Sequence, residues 1–312
     1  MKNESAPSKL SKTPIAVALA MICCFLWGSA FPCIKIGYKL FEIPSDSPAS
    51  QIFFAGIRFF IAGIMVIAVG SIAERKLLLP TKKAVPKILS LSLFQTILQY
   101  IFFYIGLANT SGVKASVIEG TSAFICILIS ALIFRMEKLT PAKIIGCLIG
   151  TAGIVVINLD SSLLSDISFM GDGFVFVSIL AYSVSSVLIK RFSASENPVM
   201  LSGWQFLIGG AVMIAAGALS GGRAGTFTTA GLLMLAYLAF ISACAYSLWA
   251  LLLKHNPVSK IAVFGFMNPV FGVLLSAFLL GETEQAFRIE SIIALLLIAA
   301  GIFIVNKKSE AV

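Results

Sequence analysis

The sequence has little of what most enzyme active sites need. It contains one histidine, His255, and 14 acidic residues in 312. Charged residues make up 12% of the chain, against about 25% in soluble domains. Metal and acid–base chemistry usually gathers several His, Asp or Glu side chains at one site. The scarcity of these residues argues against an enzyme, and we expect no metal site and no cofactor.

Two other common classes are also disfavoured. All six cysteines lie in apolar stretches without a CxxC pair, which argues against a disulfide framework and against a Cys/His zinc site. The net charge is +9, but the basic residues lie between apolar runs instead of forming one contiguous stripe. A nucleic-acid-binding protein needs such a stripe, so we expect no nucleic-acid partner.

What the chain has is apolar sequence. Hydrophobic residues make up 59% of it, and its mean hydropathy is +1.00. This composition exceeds what one soluble core could bury, so it predicts an all-α integral membrane protein in contact with the lipid bilayer. Apolar runs of about 20 residues predict ten spans: 14–36, 50–71, 86–107, 113–134, 141–158, 170–190, 197–219, 228–253, 257–280 and 288–305. We interpret the first as a retained span and not as a cleaved signal peptide.

The distribution of basic residues predicts the orientation. Most of the 23 lysines and arginines fall in the loops on the same side as the two chain ends. Because cytoplasmic loops carry the excess of Lys and Arg, we expect both termini in the cytoplasm and the chain in the plasma membrane. The two tails, 1–13 and 307–312, are short.

The two halves of the chain resemble each other. Three stretches match in chain order and in equivalent spans: 27–35 with 182–190, 58–70 with 205–217, and 152–158 with 300–306. Each half, 14–158 and 170–306, therefore holds five spans. Because five is odd, the second half must enter the membrane inverted relative to the first, which is typical of transporters with a site near the midplane.

Several motifs carry a family resemblance. FLWGSAFPCIKIG, IRFFIAG, the acidic turns RMEKLTP and LLGETEQ, and the closing AGIVVIN and AGIFIVN resemble the drug/metabolite transporter superfamily, in its EamA-domain branch. The resemblance spans about 14 to 306. It implies a ten-helix exporter of amino acids, drugs or other metabolites. The fourth span lacks the proline that its repeat partner keeps as Pro269, so we expect the first-half gate to be less kinked.

Ionisable groups inside a membrane are costly and usually functional. Two lie deep in predicted spans, Arg58 about 12 Å and Glu119 about 10 Å from the outer face by the helical rise. Gln99 lies about 10 Å from the same face. The shared depth motivates a hypothesis that the three line the outward-facing pathway, with Arg58 and Glu119 paired or nearly so. Bracing of helices is the alternative role for Arg58.

Other candidate pathway residues are aromatic or neutral. Trp27 lies near the midplane, and Tyr182 is its repeat partner. The second half adds a set that suits an apolar or zwitterionic solute: Trp204, Gln205, Tyr246, Trp249 and Asn268. Close to Trp27, Gly28 allows close helix approach and Pro32 breaks a helical hydrogen bond, so that Gly28, Pro32 and Pro269 are candidate hinges. The GCLIG stretch at 146–150 predicts a packing face.

The favoured function is a secondary transporter that exports small metabolites such as amino acids by alternating access. The chain has no GxxxxGK[ST] stretch, so we do not expect ATP to drive it, and protons are a candidate coupling ion. Multidrug and nucleoside or sugar carriers use the same fold and stay open, as do two less favoured classes, a membrane-embedded enzyme and a scaffold. The sequence leaves monomer and homodimer equally open.

Overall fold

The computed structural model describes residues 9–44, 46–110, 112–157, 167–280 and 289–307, and within these ranges it contains helices and no strands. Among the described residues, eight helices are long and apolar enough to cross a membrane, and two more are shorter and apolar. We number them in chain order: α1 Thr13–Leu40, α2 Pro48–Ala73, α3 Val85–Ala108, α4 112–133, α5 Pro141–Ile157, α6 Phe169–Phe192, α7 Pro198–Leu219, α8 Thr229–His255, α9 Val258–Leu279 and α10 Ile289–Asn306. The ten predicted spans are confirmed to within about one helical turn.

Local sequence explains where the helices begin. A proline occupies the first turn of α1, α2, α3 and α7, where its missing N–H would have had no helical partner. At the start of α7, Asn197 Oδ1 accepts hydrogen bonds from the backbone N–H groups of Val199 and Met200. Ser47 Oγ does the same for Ser50 N at α2. These caps fix the points at which the chain re-enters the bundle.

The helices pack according to an internal two-fold relation. α1 packs on α8 and α9, and its repeat equivalent α6 packs on α3 and α4. The largest interfaces join equivalent helices of the two halves, α2 with α7 and α5 with α10. Each of these contacts has a counterpart in the other half, as expected for two five-helix repeats.

The direction of α2 against α7 establishes the inversion. Gly56 contacts Ile214, Gly63 contacts Leu207, and Gly70 reaches Val199 at the start of α7. Residue numbers rise along one helix as they fall along the other, so the two helices run antiparallel. Equivalent helices of two repeats run antiparallel only when the repeats are inverted, so the predicted inverted topology is confirmed.

Glycines at seven-residue intervals bring α2 and α7 into backbone contact. A Cβ built at Gly63 would lie 2.5 Å from the Leu207 backbone nitrogen, and one at Gly210 would lie 2.4 Å from that of Phe60. Only hydrogen fits at these positions. The set is Gly56, Gly63 and Gly70 on α2, and Gly203, Gly210 and Gly217 on α7.

The pair α5–α10 uses the predicted GCLIG packing face. A Cβ at Gly146 would lie 2.8 Å from the Gly301 carbonyl oxygen, and one at Gly301 would lie 2.9 Å from the Gly150 nitrogen. The packing role expected for this stretch is confirmed.

The loops gather at two faces of the bundle. On the face of the chain ends, here the terminal face, Asn256 Nδ2 donates to the Leu10 carbonyl at 2.9 Å. On the opposite face, Gly225 N donates to the Phe41 carbonyl at 2.8 Å. The two halves therefore touch each other at both ends of the bundle.

Both fourth spans of the repeats are irregular. α4 breaks at Thr121, whose backbone N–H and hydroxyl both donate to the Ile118 carbonyl, at 3.0 and 2.7 Å. α9 has a 3₁₀ turn at Val263–Phe266, ahead of Pro269. A threonine hydroxyl bonded to the backbone thus accompanies a break in α4 although this span lacks proline, and the expectation that α4 is less kinked stays a prediction. The acidic turn after the ninth span and residues 308–312 lie outside the described ranges.

At the terminal face, Glu137 joins the α4–α5 loop to the start of α9. Its carboxylate accepts hydrogen bonds from the backbone N–H groups of Val258 and Ser259, from the Ser259 hydroxyl, and from Lys143 Nζ at 2.9 Å. Burial raises the pKa of the Glu137 carboxyl, but the bonds from Ser259 and Lys143 together lower it further, so the pKa lies below its ordinary value. The carboxylate thus caps the N-terminus of α9 from the other half of the chain.

Glu137→Gln is expected to lower the free energy of unfolding at neutral pH by about 2 kcal/mol, because an ionised acceptor of several hydrogen bonds is lost. The folded pKa is below the unfolded one, so the carboxylate stabilises the fold above the unfolded pKa and loses this effect as the pH falls through the folded pKa. Melting temperatures of the detergent-solubilised protein between neutral and acidic pH measure both effects. Asp46→Asn, at an exposed acid on the opposite face, is the control. Equal acid sensitivity of the native protein and the Glu137 variant would contradict this role.

Candidate functional site

Aromatic rings from five helices meet in the middle of the bundle. The Trp27 ring lies 5.1 Å from Tyr246 and 4.9 Å from Trp249, between centroids, both edge to face. The hydroxyls of Tyr100 and Tyr246 are 2.8 Å apart. These contacts tie α1, α3 and α8 together. We call the full set the central aromatic cluster: Trp27, Phe59, Tyr100, Phe206, Tyr246 and Trp249.

Two phenylalanines of the cluster lie on the internal two-fold relation. Phe59 on α2 and Phe206 on α7 stack with centroids 5.3 Å apart and planes 5° from parallel. They are equivalent residues in the match of 58–70 with 205–217. Equivalent residues of antiparallel partner helices meet where the symmetry axis passes between them, so the axis crosses the cluster. A site on this axis lies at the interface of the two halves.

Arg58 is the cation of this region. Its guanidinium carbon lies 4.4 Å from the Phe59 ring centroid and 5.7 Å from that of Tyr100. The side chain is buried, with the residue 5% exposed, and its Nε has no hydrogen-bond partner among the described residues. Aromatic faces stabilise the charge in part, and the unpartnered Nε–H remains available to an acceptor.

The hypothesised pair of Arg58 and Glu119 is absent. Four ion pairs join described residues, and none of them includes either side chain. Glu119 is half-buried on the first segment of α4, Gly112–Gly120, which packs on α5 and α6. Its neighbour Gly120 is held against Ile154 of α5. The two side chains lie on helix segments with different main packing partners, α7 for Arg58 and α5 and α6 for Glu119, and their shared depth in the membrane stays a prediction.

Further unpartnered polar atoms flank the cluster. Trp27 Nε1, a donor, and Gln99 Oε1, an acceptor, are buried with no hydrogen-bond partner in the part of the chain described. Gln99 directly precedes Tyr100 on α3 and interacts electrostatically with the Tyr246 hydroxyl. Buried polar atoms are normally satisfied, so unsatisfied ones at a shared position point to a bound polar molecule or water.

The remaining predicted residues fall into two groups. Tyr182 lies on α6, which packs on α3, the helix that carries Tyr100. Asn268 has a buried, unpartnered Oδ1 among the described residues and lies on α9 between its two contacts with α1, at Phe264 and Phe271.

Trp204 contacts the α2–α3 loop and Gln205 contacts α3, and their role in the pathway stays a prediction. Trp204 Nε1 donates to the Leu78 carbonyl at 2.7 Å, so this ring anchors the α2–α3 loop at the terminal face. Gln205 is fully buried, and its Oε1 accepts a hydrogen bond from Thr96 Oγ1 at 2.6 Å. Gln205 Nε2, like Gln99 Oε1, is buried with no hydrogen-bond partner among the described residues. Thr96 belongs to a π-helical turn, Ser92–Leu98, of the kind often found at functional sites.

The three candidate hinges differ in their surroundings. Gly28 faces α9, where an added Cβ would lie 2.4 Å from Phe271 Cβ, so it allows the close approach of α1 to α9. α1 continues as one helix through Pro32, and Pro269 lies within the regular part of α9. Bending at these positions stays a prediction.

Comparison with known proteins agrees with this architecture. The model of the EamA-like transporter family matches residues 14–159 and 169–307. A relative named as an uncharacterized transporter of Archaeoglobus fulgidus is 26% identical over 304 residues, covering 96% of this chain and 99% of its own. A relative from Salmonella typhimurium, named as a probable amino-acid metabolite efflux pump, is 25% identical over 296 residues and covers 92% and 93%.

A solved crystal structure that is 20% identical superposes with a TM-score of 0.76, covering 95% of this chain and 97% of its own, and so shares the fold. The family model matches both halves of the chain separately, from the first helix to the last. The repeats seen in the packing are therefore the repeats that define the family, and the protein belongs to the EamA-like transporter family.

Proposed function

We propose that this transporter is a secondary active exporter of small carboxylate-bearing metabolites such as amino acids. In this proposal it lies in the plasma membrane with both termini in the cytoplasm, and its halves, 14–158 and 170–306, rock against each other. The observation that carries the proposal is Arg58, a buried cation between aromatic rings with no carboxylate partner among the described residues. An uncompensated charge at such a place is costly unless a ligand of opposite charge completes it.

The surroundings of Arg58 fit a zwitterionic solute. A guanidinium binds a carboxylate with two parallel hydrogen bonds. Gln99 Oε1 offers an acceptor for an ammonium group, and the Trp27 Nε1 donor offers a further polar contact. The rings of the central aromatic cluster provide an apolar surface for a side chain. The arrangement suits an amino acid better than a polyanion.

Direction and orientation rest on two further observations. The Salmonella relative carries the name of an efflux pump. The terminal face carries most of the cations of the chain, which favours its placement in the cytoplasm.

Glu119 is proposed as the proton-coupling group. It is a half-buried acid in a membrane span, without an ion-pair partner among the described residues. An acid in this position can take up a proton from one side and release it to the other as the halves move. The first segment of α4 packs on α6, which carries Tyr182. A change in the protonation of Glu119 can therefore be transmitted to the substrate region through this helix contact.

The test is counterflow in proteoliposomes. Vesicles preloaded with a mixed amino-acid pool are given external labelled amino acids, with and without an imposed pH gradient. We expect saturable exchange in the native protein and a response to the gradient that Glu119→Gln abolishes. Glu42→Gln, at an exposed acid on the opposite face, is the matched control and should keep that response.

Two outcomes would contradict the proposal separately. An unchanged gradient response in Glu119→Gln would remove Glu119 from coupling while leaving the carrier intact. Exchange of nucleosides, sugars or cationic drugs, but of no amino acid, would overturn the substrate class.

A further inference from the structure

The loop between α2 and α3 exposes leucines at a fixed place. Leu77 is 75% exposed and Leu79 is 64% exposed, whereas Leu78 between them is 4% exposed. Leu78 packs into the main core, so the alternation turns its two neighbours outward. Large apolar side chains that do not pack in the protein core avoid contact with water only if another apolar phase surrounds them. Next to a membrane-spanning helix, that phase is the boundary between lipid headgroups and acyl chains.

The loop is clamped to both halves of the protein. Leu78 N donates to Ser71 Oγ on α2 at 3.0 Å, and the Leu78 carbonyl accepts from Trp204 Nε1 on α7 at 2.7 Å. Arg75 turns the chain with φ +52°, in the left-handed region, and Lys76 N donates to the Ser71 carbonyl. This is a typical helix-ending turn. The leucines are therefore presented by a defined structure.

The same loop carries unpaired cations. Arg75, Lys82 and Lys83 are exposed and have no ion-pair partner among the described residues. Lys76 is also exposed and lies 3.4 Å from Glu74. Clusters of Lys and Arg directly beside a membrane span attract anionic lipid headgroups.

From this combination we propose that residues 75–83 form a docking surface for the anionic headgroups of the surrounding bilayer. The cations bind headgroup phosphates, and Leu77 and Leu79 enter the acyl boundary. Because the loop is bonded to α2 through Ser71 and to α7 through Trp204, the bound lipid braces the largest interface between the halves. This inference does not depend on what the protein transports.

The experiment uses the full chain in detergent micelles and follows thermal unfolding while phosphatidylglycerol or phosphatidylcholine is added. Three variants are compared: Lys82→Gln/Lys83→Gln, Leu77→Ser/Leu79→Ser, and the control Lys9→Gln/Lys12→Gln. The control removes the same charge from exposed positions on the same face. Melting in phosphatidylcholine shows whether each variant is folded.

We expect phosphatidylglycerol to raise the melting temperature of the native protein more than phosphatidylcholine does. Loss of Lys82 and Lys83 should raise the half-maximal phosphatidylglycerol concentration by about thirty-fold, since each cation near an anionic surface contributes about five-fold to the affinity. The leucine variant should show a smaller rise, and the control should match the native protein. Equal loss in the control pair, or no preference for phosphatidylglycerol in the native protein, would overturn the proposal.

Discussion

Arg58→Gln is expected to reduce exchange of carboxylate-bearing solutes by about a hundredfold, the usual cost of removing one partner of a buried charge pair. The guanidinium lies over Phe59 with no carboxylate of the described chain beside it, so the solute is the partner that would be lost. Arg58→Lys keeps the charge but not the planar fork, and should retain part of the activity. Initial rates of counterflow in proteoliposomes measure the effect.

The carboxamide of the same amino acid separates a substrate contact from a bracing role. The native protein should prefer the carboxylate strongly, and Arg58→Gln should lose that preference. If Arg58 only braces helices, Arg58→Gln should reduce the exchange of the amino acid and of its carboxamide by the same factor. Trp204→Phe is the matched control, because Trp204 lies at the terminal face outside the central aromatic cluster. A hundredfold loss of exchange in Trp204→Phe would show that the counterflow rate responds to changes in helix packing and not specifically to loss of the substrate contact.

Gly210→Ala is expected to lower the free energy of unfolding by at least about 2 kcal/mol, toward the upper range for overpacked sites. The added methyl would lie 2.4 Å from the Phe60 backbone nitrogen and 2.9 Å from the Gly56 carbonyl oxygen. These are backbone atoms of α2 and cannot rotate away, so the two helices must separate. Gly63→Ala should behave alike on the other side of the interface, where its methyl meets the Leu207 nitrogen.

Gly265→Ala is the control for this interface. A Cβ at Gly265 has no atom of the described residues within 4 Å and its φ is not positive, so this substitution should leave the melting temperature nearly unchanged. Melting temperatures and the fraction of monodisperse protein in detergent measure all three variants. Stability equal to that of Gly265→Ala in both interface variants would contradict the close packing of α2 on α7.

Most of the architecture follows from the sequence, because hydropathy determines which segments enter the membrane. The ten spans come from apolar runs, and the inversion follows from an odd number of spans in each repeat. The glycine interface was also readable, since the match of 58–70 with 205–217 aligns Gly63 with Gly210 and Gly70 with Gly217. The break at Thr121 could not be predicted, because a hydroxyl group that bonds to the backbone of its own helix has no fixed sequence signature.

The site was predicted only in part, because depth in a membrane does not determine the direction in which a side chain points. Arg58 and Glu119 share a predicted depth, yet one lies over Phe59 and the other lies on the α4 segment that packs on α5 and α6. Trp204 is a second example, since its ring N–H points to the α2–α3 loop.

Three cluster residues were missed: Phe59, Tyr100 and Phe206. Phe59 and Phe206 had a signal, because they occupy equivalent positions directly after Arg58 and Gln205 in the repeat. Equivalent residues near the middle of antiparallel partner helices meet across the symmetry axis, and these two stack at 5.3 Å. For Tyr100 the sequence contains no signal beyond its position after Gln99, because its contact with Tyr246 joins helices that are far apart in the sequence.

The most direct test of the account is binding itself, followed through the intrinsic fluorescence of Trp27 and Trp249 in Trp204→Phe protein. Both remaining tryptophans belong to the central aromatic cluster, so a solute bound at Arg58 must change their environment. We predict that an amino acid gives a saturable change in fluorescence and that its carboxamide gives a much weaker one. In protein that carries both Trp204→Phe and Arg58→Gln, we predict no change. A saturable change that is the same with and without Arg58 would contradict the central claim that this residue anchors the transported solute.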